Sequence, residues 1–342
     1  MKILFIGPKK SLNKGYSNSY LQFKTLKKLY REVDSIDSSK ILFLPSLTGK
    51  IFIHISPYIL EYFINFYILS RVKKEYDLIW IKGGDFIGKK LILELKKKTK
   101  KIVFICNDNP FVKRDKKRWK LFLPAAKYYD CIAFQDKSRL SPSKKWGVRK
   151  SLLVLPPYDL NIHKKQKISK KEKIKYQNDI IFVGTWSPKK GEFIRKLIEL
   201  GLNVNIYGGL WDKDPYYKIL KSKIKLGHVF NPHYSKLIQN SKIALCLFAE
   251  GNLDTITARS IEIPAIGTLL CSLRTKSMKN VFIENKEAIF FSSPRECVEK
   301  CHYYLNNENE AKKISRAGHI KITKILKPNH ENLIKKVIDY VF

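Results

Sequence analysis

Acidic residues are scarce in this chain. Its 342 residues hold 30 Asp and Glu against 67 Lys and Arg, a formal charge of +37. Glycine and proline are also few, 16 and 14, which excludes collagen-like and low-complexity disordered classes. Long apolar runs are missing except at Ile51 to Ser70, and His54, Pro57, Glu61 and Asn65 interrupt that one. A carboxylate at mid-bilayer is costly, so the stretch reads as a loop followed by a largely buried helix from about Pro57. The competing reading is a membrane-contacting helix. The opening run MKILFIGP is too short for a signal peptide, and no small-residue cleavage site follows it.

The six cysteines are dispersed at 106, 131, 246, 271, 297 and 301. Cys297 and Cys301 share a helix face, but no second pair and no histidine spacing completes a zinc site. Free buried thiols in a reducing cytoplasm are the expectation. There is no Gly-x-Ser-x-Gly, His-Glu-x-x-His or kinase set, no Walker motif and no GxGxxG. No acidic DxD-like pair stands in a metal-binding turn, so no metal and no cofactor are expected.

What the chain does have is 44% hydrophobic residues and enough length for two domains of ordinary size, each able to bury a core without disulfide or metal staples. The excess of Lys and Arg is spread along the chain. It fits solvated faces, attraction to an anionic membrane surface, or nucleic-acid binding. No RNP, KH, zinc-finger or basic-zipper pattern supports the last, and no specific nucleic-acid partner is expected. The positive field attracts phosphate-bearing substrates in any case.

Apolar runs alternate with helical patterns. Strands are predicted at Met1–Gly7, Asp77–Lys82, Lys101–Cys106, Cys131–Gln135 and Ser151–Leu155, with helices at Ser19–Tyr30, Leu91–Lys98 and Trp119–Tyr129. The segment 161–178 is polar and charged and reads as a solvated linker. The alternation restarts at Asp179–Gly184, Asn203–Tyr207, Ile243–Phe248, Thr268–Cys271 and Ala288–Phe291, with helices at Gly191–Leu200, Tyr234–Asn240, Glu296–Leu305, Glu308–Gly318 and Asn329–Tyr340. A further helix opens at Ser260 and is interrupted at Pro264. The fold class is α/β, with two parallel-sheet halves and a cleft between them. The boundaries are 1–160, a linker at 161–178, a second domain at 179–327, and a last helix at 328–342 that packs back on the first domain.

Four stretches carry candidate chemistry. The run from Asn252 to Gly267 follows a strand and opens a helix, whose free N–H groups form a natural phosphate seat. Thr255 and Thr257 stand at that helix end, Arg259 offers a bidentate fork, and Glu262 can accept both hydroxyls of a ribose. The same residues also fit a capping Thr with an Arg–Glu surface pair at i,i+3. In Ile181–Arg195, Gly184 permits close backbone approach, and Lys189, Lys190 and Arg195 can neutralise a diphosphate, or the run is an ordinary strand-to-helix turn with solvated lysines. Tyr207-Gly208-Gly209, with Leu226-Gly227-His228-Val229, leaves backbone groups for a base. Asp108, in Asn107-Asp108-Asn109-Pro110, can act as a base or form an Asx-turn. Asp85 is a weaker candidate of the same kind.

These stretches resemble the carboxyl-terminal domain of GT-B glycosyltransferases, particularly the CgeB-like (spore-protein glycosyltransferase-like) group, over about residues 179–320. The resemblance implies two Rossmann-like domains with parallel sheets facing an inter-domain cleft. The first would be an acceptor domain and the second a nucleotide-sugar donor domain. It also implies metal-independent sugar transfer from a nucleotide diphosphate sugar to a glycan, lipid or protein acceptor. The E-x7-E pair of the retaining enzymes appears here as Asp254 and Glu262. By resemblance Glu262 holds the ribose, Asp254 lies near the donor sugar, and Arg259 and Lys190 lie near the diphosphate above Gly184 and Thr185. Tyr207, Gly208, His228 and Val229 meet the base. The substitution of Asp254 for the first Glu departs from the pattern, and a non-catalytic protein of the same fold is the rival. The expected location is cytoplasmic, with peripheral contact to the inner membrane face.

Overall fold

The computed structural model describes residues 1–9, 17–41, 51–230 and 232–342. The loop expected between the first strand and the first helix lies largely outside them. The chain divides into two compact units: 1–155 with 251–253 and 330–342, and 156–250 with 254–329.

The first unit is built on a six-stranded sheet in the order β2-β1-β3-β4-β5-β6. Its strands are β1 (Lys2–Gly7), β2 (Glu32–Asp37), β3 (Tyr76–Lys82), β4 (Thr99–Cys106), β5 (Cys131–Phe134) and β6 (Ser151–Leu153). Every pairing in it is parallel. The central strands are apolar at successive positions because both faces are covered. On one face Leu4, Ile79, Ile81 and Phe104 meet Ile64, Leu91 and Phe122. On the other, Ile3, Phe5, Trp80 and Val103 meet the helix His330–Val341 through Leu333, Ile334, Val337, Ile338 and Val341. That spacing is one face of a 3.6-residue helix, and each buried side chain contributes about 1.5–3 kcal/mol before entropy is counted.

The second unit repeats the design in the order β12-β11-β10-β7-β8-β9. Its strands are β7 (Asn178–Val183), β8 (Val204–Gly208), β9 (Ile224–Leu226), β10 (Ser241–Cys246), β11 (Leu269–Leu273) and β12 (Ile289–Phe291). All pairings are again parallel.

Five expectations need correction. The helix Tyr58–Leu69 is not largely buried: Ile64 and Ile68 face the core, while Tyr58, Ile59, Tyr62, Phe63 and Phe66 are exposed. Residues 51–55 before it form a π-turn rather than a loop. The region 161–178 is no free linker but part of the second unit. It contains the capped helix Lys170–Tyr176, and Gln166 exchanges hydrogen bonds with Gln239. Pro264 does not interrupt its helix, which runs Ala258–Ile266 and ends at Gly267 with φ 98°. Residues 260–266 are all buried, so packing holds the turn that proline weakens. Trp119–Tyr129 also breaks into short turns around Phe122–Ala125.

No described helix is long and apolar enough to cross a membrane.

Candidate functional site

In an open parallel sheet the crevice lies where neighbouring strands send their connections in opposite directions, at the carboxyl ends. In the second unit that point falls between β7 and β10, because β7 continues to β8 on one side while β10 pairs it on the other. The residues after β7 run into the helix Pro188–Glu199, and those after β10 into the helix Ala258–Ile266. Both expected phosphate stretches therefore flank one crevice. Two helix amino termini there supply partial positive charge.

Arg259 sits at this point. Its Nε donates to the carbonyl of Val183, the last residue of β7, at 3.0 Å. The guanidinium lies 5.0 Å over the Tyr234 ring and stays 39% exposed. Lys190, in the first turn of the helix after β7, donates to the Thr185 carbonyl at 3.4 Å. Burial lowers its pKa, Arg259 lowers it further, and Cys246 and Asp254 oppose the shift. Arg259 and Asp254 are thus among the charges that act on Lys190.

Glu262 is nearly buried. Its Oε2 accepts from Arg259 at 3.3 Å, and its Oε1 lies 3.7 Å from His163 Nε2. Burial alone would raise its pKa, but His163 and Arg259 more than offset that, and the carboxylate is held below its ordinary value. The Arg–Glu pair at i,i+3 is therefore real but not a surface pair. His163 is a member of the site that sequence reasoning missed, because it lies inside the charged run taken for a linker. The two threonines have partners within the unit. Thr255 Oγ1 is 2.6 Å from Ser277 Oγ, and the Thr255 carbonyl accepts from Thr275 at 2.7 Å. Thr257 N donates to Ser260 Oγ at 3.3 Å, and its hydroxyl lies 3.6 Å from Cys246 Sγ.

The glycines have structural reasons for being glycine. A Cβ on Gly208, where φ is +154°, would stand 2.0 Å from the Gly184 carbonyl oxygen. One on Gly184 would stand 2.7 Å from the Phe182 ring. Gly184 N donates to the Tyr207 carbonyl at 2.9 Å, and its own carbonyl accepts from Trp211 Nε1 at 2.9 Å. These groups lock the ends of β7 and β8 together rather than standing free. The exposed His228 ring packs on Gly209, 3.0 Å from where a Cβ would be, beside the half-buried Val229. Tyr207, Gly208, His228 and Val229 thus gather around one strand end.

Asp108 belongs to the first unit, just after β4. It accepts from Arg118 at 3.3 Å and lies 3.5 Å from Arg114. Asp85 accepts from Arg118 at 2.8 Å, and Asp115 pairs with Arg114 at 2.7 Å. Lys82, at the end of β3, is buried and donates to the Ile105 carbonyl at 3.2 Å and to Asn107 Oδ1. Burial pushes its pKa down to about 7. Lys82, Arg114, Arg118 and Asp115 were not singled out in the sequence, and only the Gly83-Gly84 that follows Lys82 marks the place.

Cys271 joins Cys297 and Cys301, with the three Sγ atoms within 4.8 Å of one another. All three are buried in the apolar core of the second unit. Such surroundings suit neutral thiols packed as small hydrophobes.

Residues 189–331 match the family described as glycosyl transferase-like. No curated protein matches the chain by sequence. Among solved structures, HepE of Anabaena in complex with UDP-glucose is similar at 12% identity and TM-score 0.67, covering 99% of this chain and 100% of that one. Sucrose-phosphate synthase of Thermosynechococcus elongatus is similar at 10% identity and TM-score 0.71, covering 100% and 99%. A trehalose-6-phosphate protein of E. coli bound with UDP-2-fluoro glucose is similar at 12% identity and TM-score 0.65, covering 99% of both. The fold is the GT-B arrangement of two Rossmann-like domains.

Proposed function

We propose that this chain is a glycosyltransferase that moves a sugar from a nucleotide diphosphate sugar to a glycan, lipid-linked or protein acceptor, in the manner of the CgeB-like group. The observation that carries the reading is the placing of Arg259 on the Val183 carbonyl and of Lys190 on the Thr185 carbonyl at the end of β7, beside two helix amino termini. A diphosphate leaving group gains negative charge as the glycosidic bond breaks. Fixed cations and helix dipoles stabilise that charge without a metal ion. Two of the similar solved structures, HepE and the E. coli trehalose-6-phosphate protein, hold UDP, UDP-glucose or UDP-2-fluoro glucose, which favours a uridine donor here.

In this reading Arg259 and Lys190 take the diphosphate and Thr185 lies under it. Glu262 holds the ribose by giving up part of its contact with Arg259. Tyr207, Gly208, His228 and Val229 meet the base. Asp254 faces the donor sugar, and its place in the D-x7-E spacing suits retention at the anomeric carbon. Asp108 serves the acceptor side. A binding protein without turnover is the second reading. It is favoured by Asp254 standing where the E-x7-E pattern has its first glutamate, one methylene shorter in reach.

The test is a thermal-shift screen against UDP, GDP, ADP, CMP and dTDP and their sugars, followed by product analysis for the sugar that binds. A ligand at a hundred times its Kd stabilises by about 2.7 kcal/mol. A shift with one nucleotide that is lost in Arg259→Ala supports the site. A shift without sugar release in the presence of candidate acceptors favours the second reading.

A further inference from the structure

The helix Tyr58–Leu69 turns only part of its surface to the core. Ile64 and Ile68 are buried, while Tyr58, Ile59, Tyr62, Phe63 and Phe66 fall on the opposite face at successive helical turns. Tyr62, Phe63 and Phe66 are 75%, 66% and 66% exposed. Ile55, just before the helix, extends the stripe. Scattered apolar side chains on a surface need no explanation, but a continuous aromatic stripe does.

Charge says what kind of surface covers it. Glu61 is the helix's one carboxylate and is turned inward, its side chain packed against Gly88. The stripe itself therefore carries no negative group. Its rim is cationic: Lys116 lies 3.1 Å from His54, Lys117 donates to the Ile55 carbonyl at 2.6 Å, and the Lys120 carbonyl accepts from the Tyr58 hydroxyl at 3.2 Å. Elsewhere on the same unit, Lys89, Lys127, Lys145 and the exposed Trp146 line a surface cavity of about 410 Å³. Aromatic rings bordered by lysines match the two parts of a bilayer interface, the acyl boundary and the anionic headgroups. The whole chain, at +37, adds attraction of the same sign.

We infer that this face of the first unit docks on an anionic lipid surface, with Tyr62, Phe63 and Phe66 entering the interface and the lysine rim meeting lipid phosphates. The inference goes beyond sugar transfer and does not depend on the donor site.

The test is co-sedimentation of the full chain with vesicles of phosphatidylcholine alone, and of equal parts phosphatidylcholine and phosphatidylglycerol, at low and high salt. Binding to the anionic vesicles, at least about tenfold weaker on neutral ones and at high salt, is expected. Combined Tyr62→Ser, Phe63→Ser and Phe66→Ser should weaken it at least tenfold, as should Lys116→Glu with Lys120→Glu. Unchanged thermal melts would show that both variants stay folded. Absence of vesicle binding, or equal binding to neutral vesicles, overturns the inference. So does a concentration-dependent dimer abolished by the triple serine variant, which would give the stripe to a second copy. A nucleotide-induced thermal shift unaffected in the serine variant keeps a failure here distinct from failure of the donor site.

Discussion

Gly191 lies inside the helix Pro188–Glu199, where glycine costs about 1 kcal/mol relative to alanine. Propensity alone predicts that Gly191→Ala stabilises the protein. The packing predicts the opposite. A Cβ there would stand 2.1 Å from Asp214 Oδ2 and 2.6 Å from Trp186 Nε1, two atoms hydrogen-bonded to each other at 2.8 Å. Neither group is free to move aside, since Asp214 also accepts from Tyr216 N at 2.9 Å and Trp186 N donates to the Gly209 carbonyl at 3.0 Å. Breaking a hydrogen bond to a carboxylate costs about 1.5–3 kcal/mol, which outweighs the helical gain and leaves a net loss of about 0.5–2 kcal/mol. At about 2–4 °C per kcal/mol the Tm should fall by roughly 1–8 °C. Thermal melts and urea titrations of the wild type, Gly191→Ala, Asp214→Ala and the double variant would measure it. The cost of Gly191→Ala should shrink in the Asp214→Ala background, where the carboxylate is gone. A rise in Tm for the single variant would refute the reasoning. It would also show that the Trp186–Asp214 hydrogen bond gives way at little cost.

Two further predictions concern pH. Arg274 hydrogen-bonds both Glu284 and Glu296, and holds the Glu296 carboxyl down to about 2 from its ordinary 4.5. A carboxylate depressed by folding contributes stability that is complete above about pH 4.5 and is lost as pH falls towards 2. Urea midpoints should therefore drop between pH 5 and 3, and Glu296→Gln should reduce the drop. Lys82 shifts in the same direction, through burial rather than pairing. Its pKa is about 7 in the folded chain against an ordinary 10.5, so the unfolded chain binds more protons between those values and stability rises with pH. Between pH 7 and 8.5, below the ordinary thiol range, Lys82→Met should flatten that rise. An unchanged slope would mean that Lys82 is charged where it lies.

The sheets were legible because strands covered on both faces read as unbroken apolar runs, as DLIWIK, KIVFIC and DIIFVG do. Two edge strands give no such run. β2, EVDSID, buries only Ile36, and β9 buries only Ile224, so neither was seen. The Tyr58–Leu69 helix misled for the converse reason, since apolar content alone does not say which side a helix buries. In the expected site, Lys190, Asp254 and Arg259 stood out because each follows an apolar strand. His163 was not, because nothing in a polar, lysine-rich segment marks one histidine as the partner of a distant glutamate. The third thiol of the cysteine group was hidden likewise, on a strand far in sequence from the helix that carries the other two.

The central claim is that the β7/β10 crevice binds a nucleotide diphosphate through Arg259 and Lys190. Calorimetric titration of UDP and UDP-glucose into the wild type, Arg259→Ala and Lys190→Ala tests it most directly. The account predicts saturable one-site binding by the wild type, weakened at least about tenfold in each variant, since a charge-assisted hydrogen bond contributes about 1.5–3 kcal/mol. Binding unchanged in both variants would contradict it, as would no binding by the wild type of UDP, UDP-glucose or any other nucleotide diphosphate in the screen.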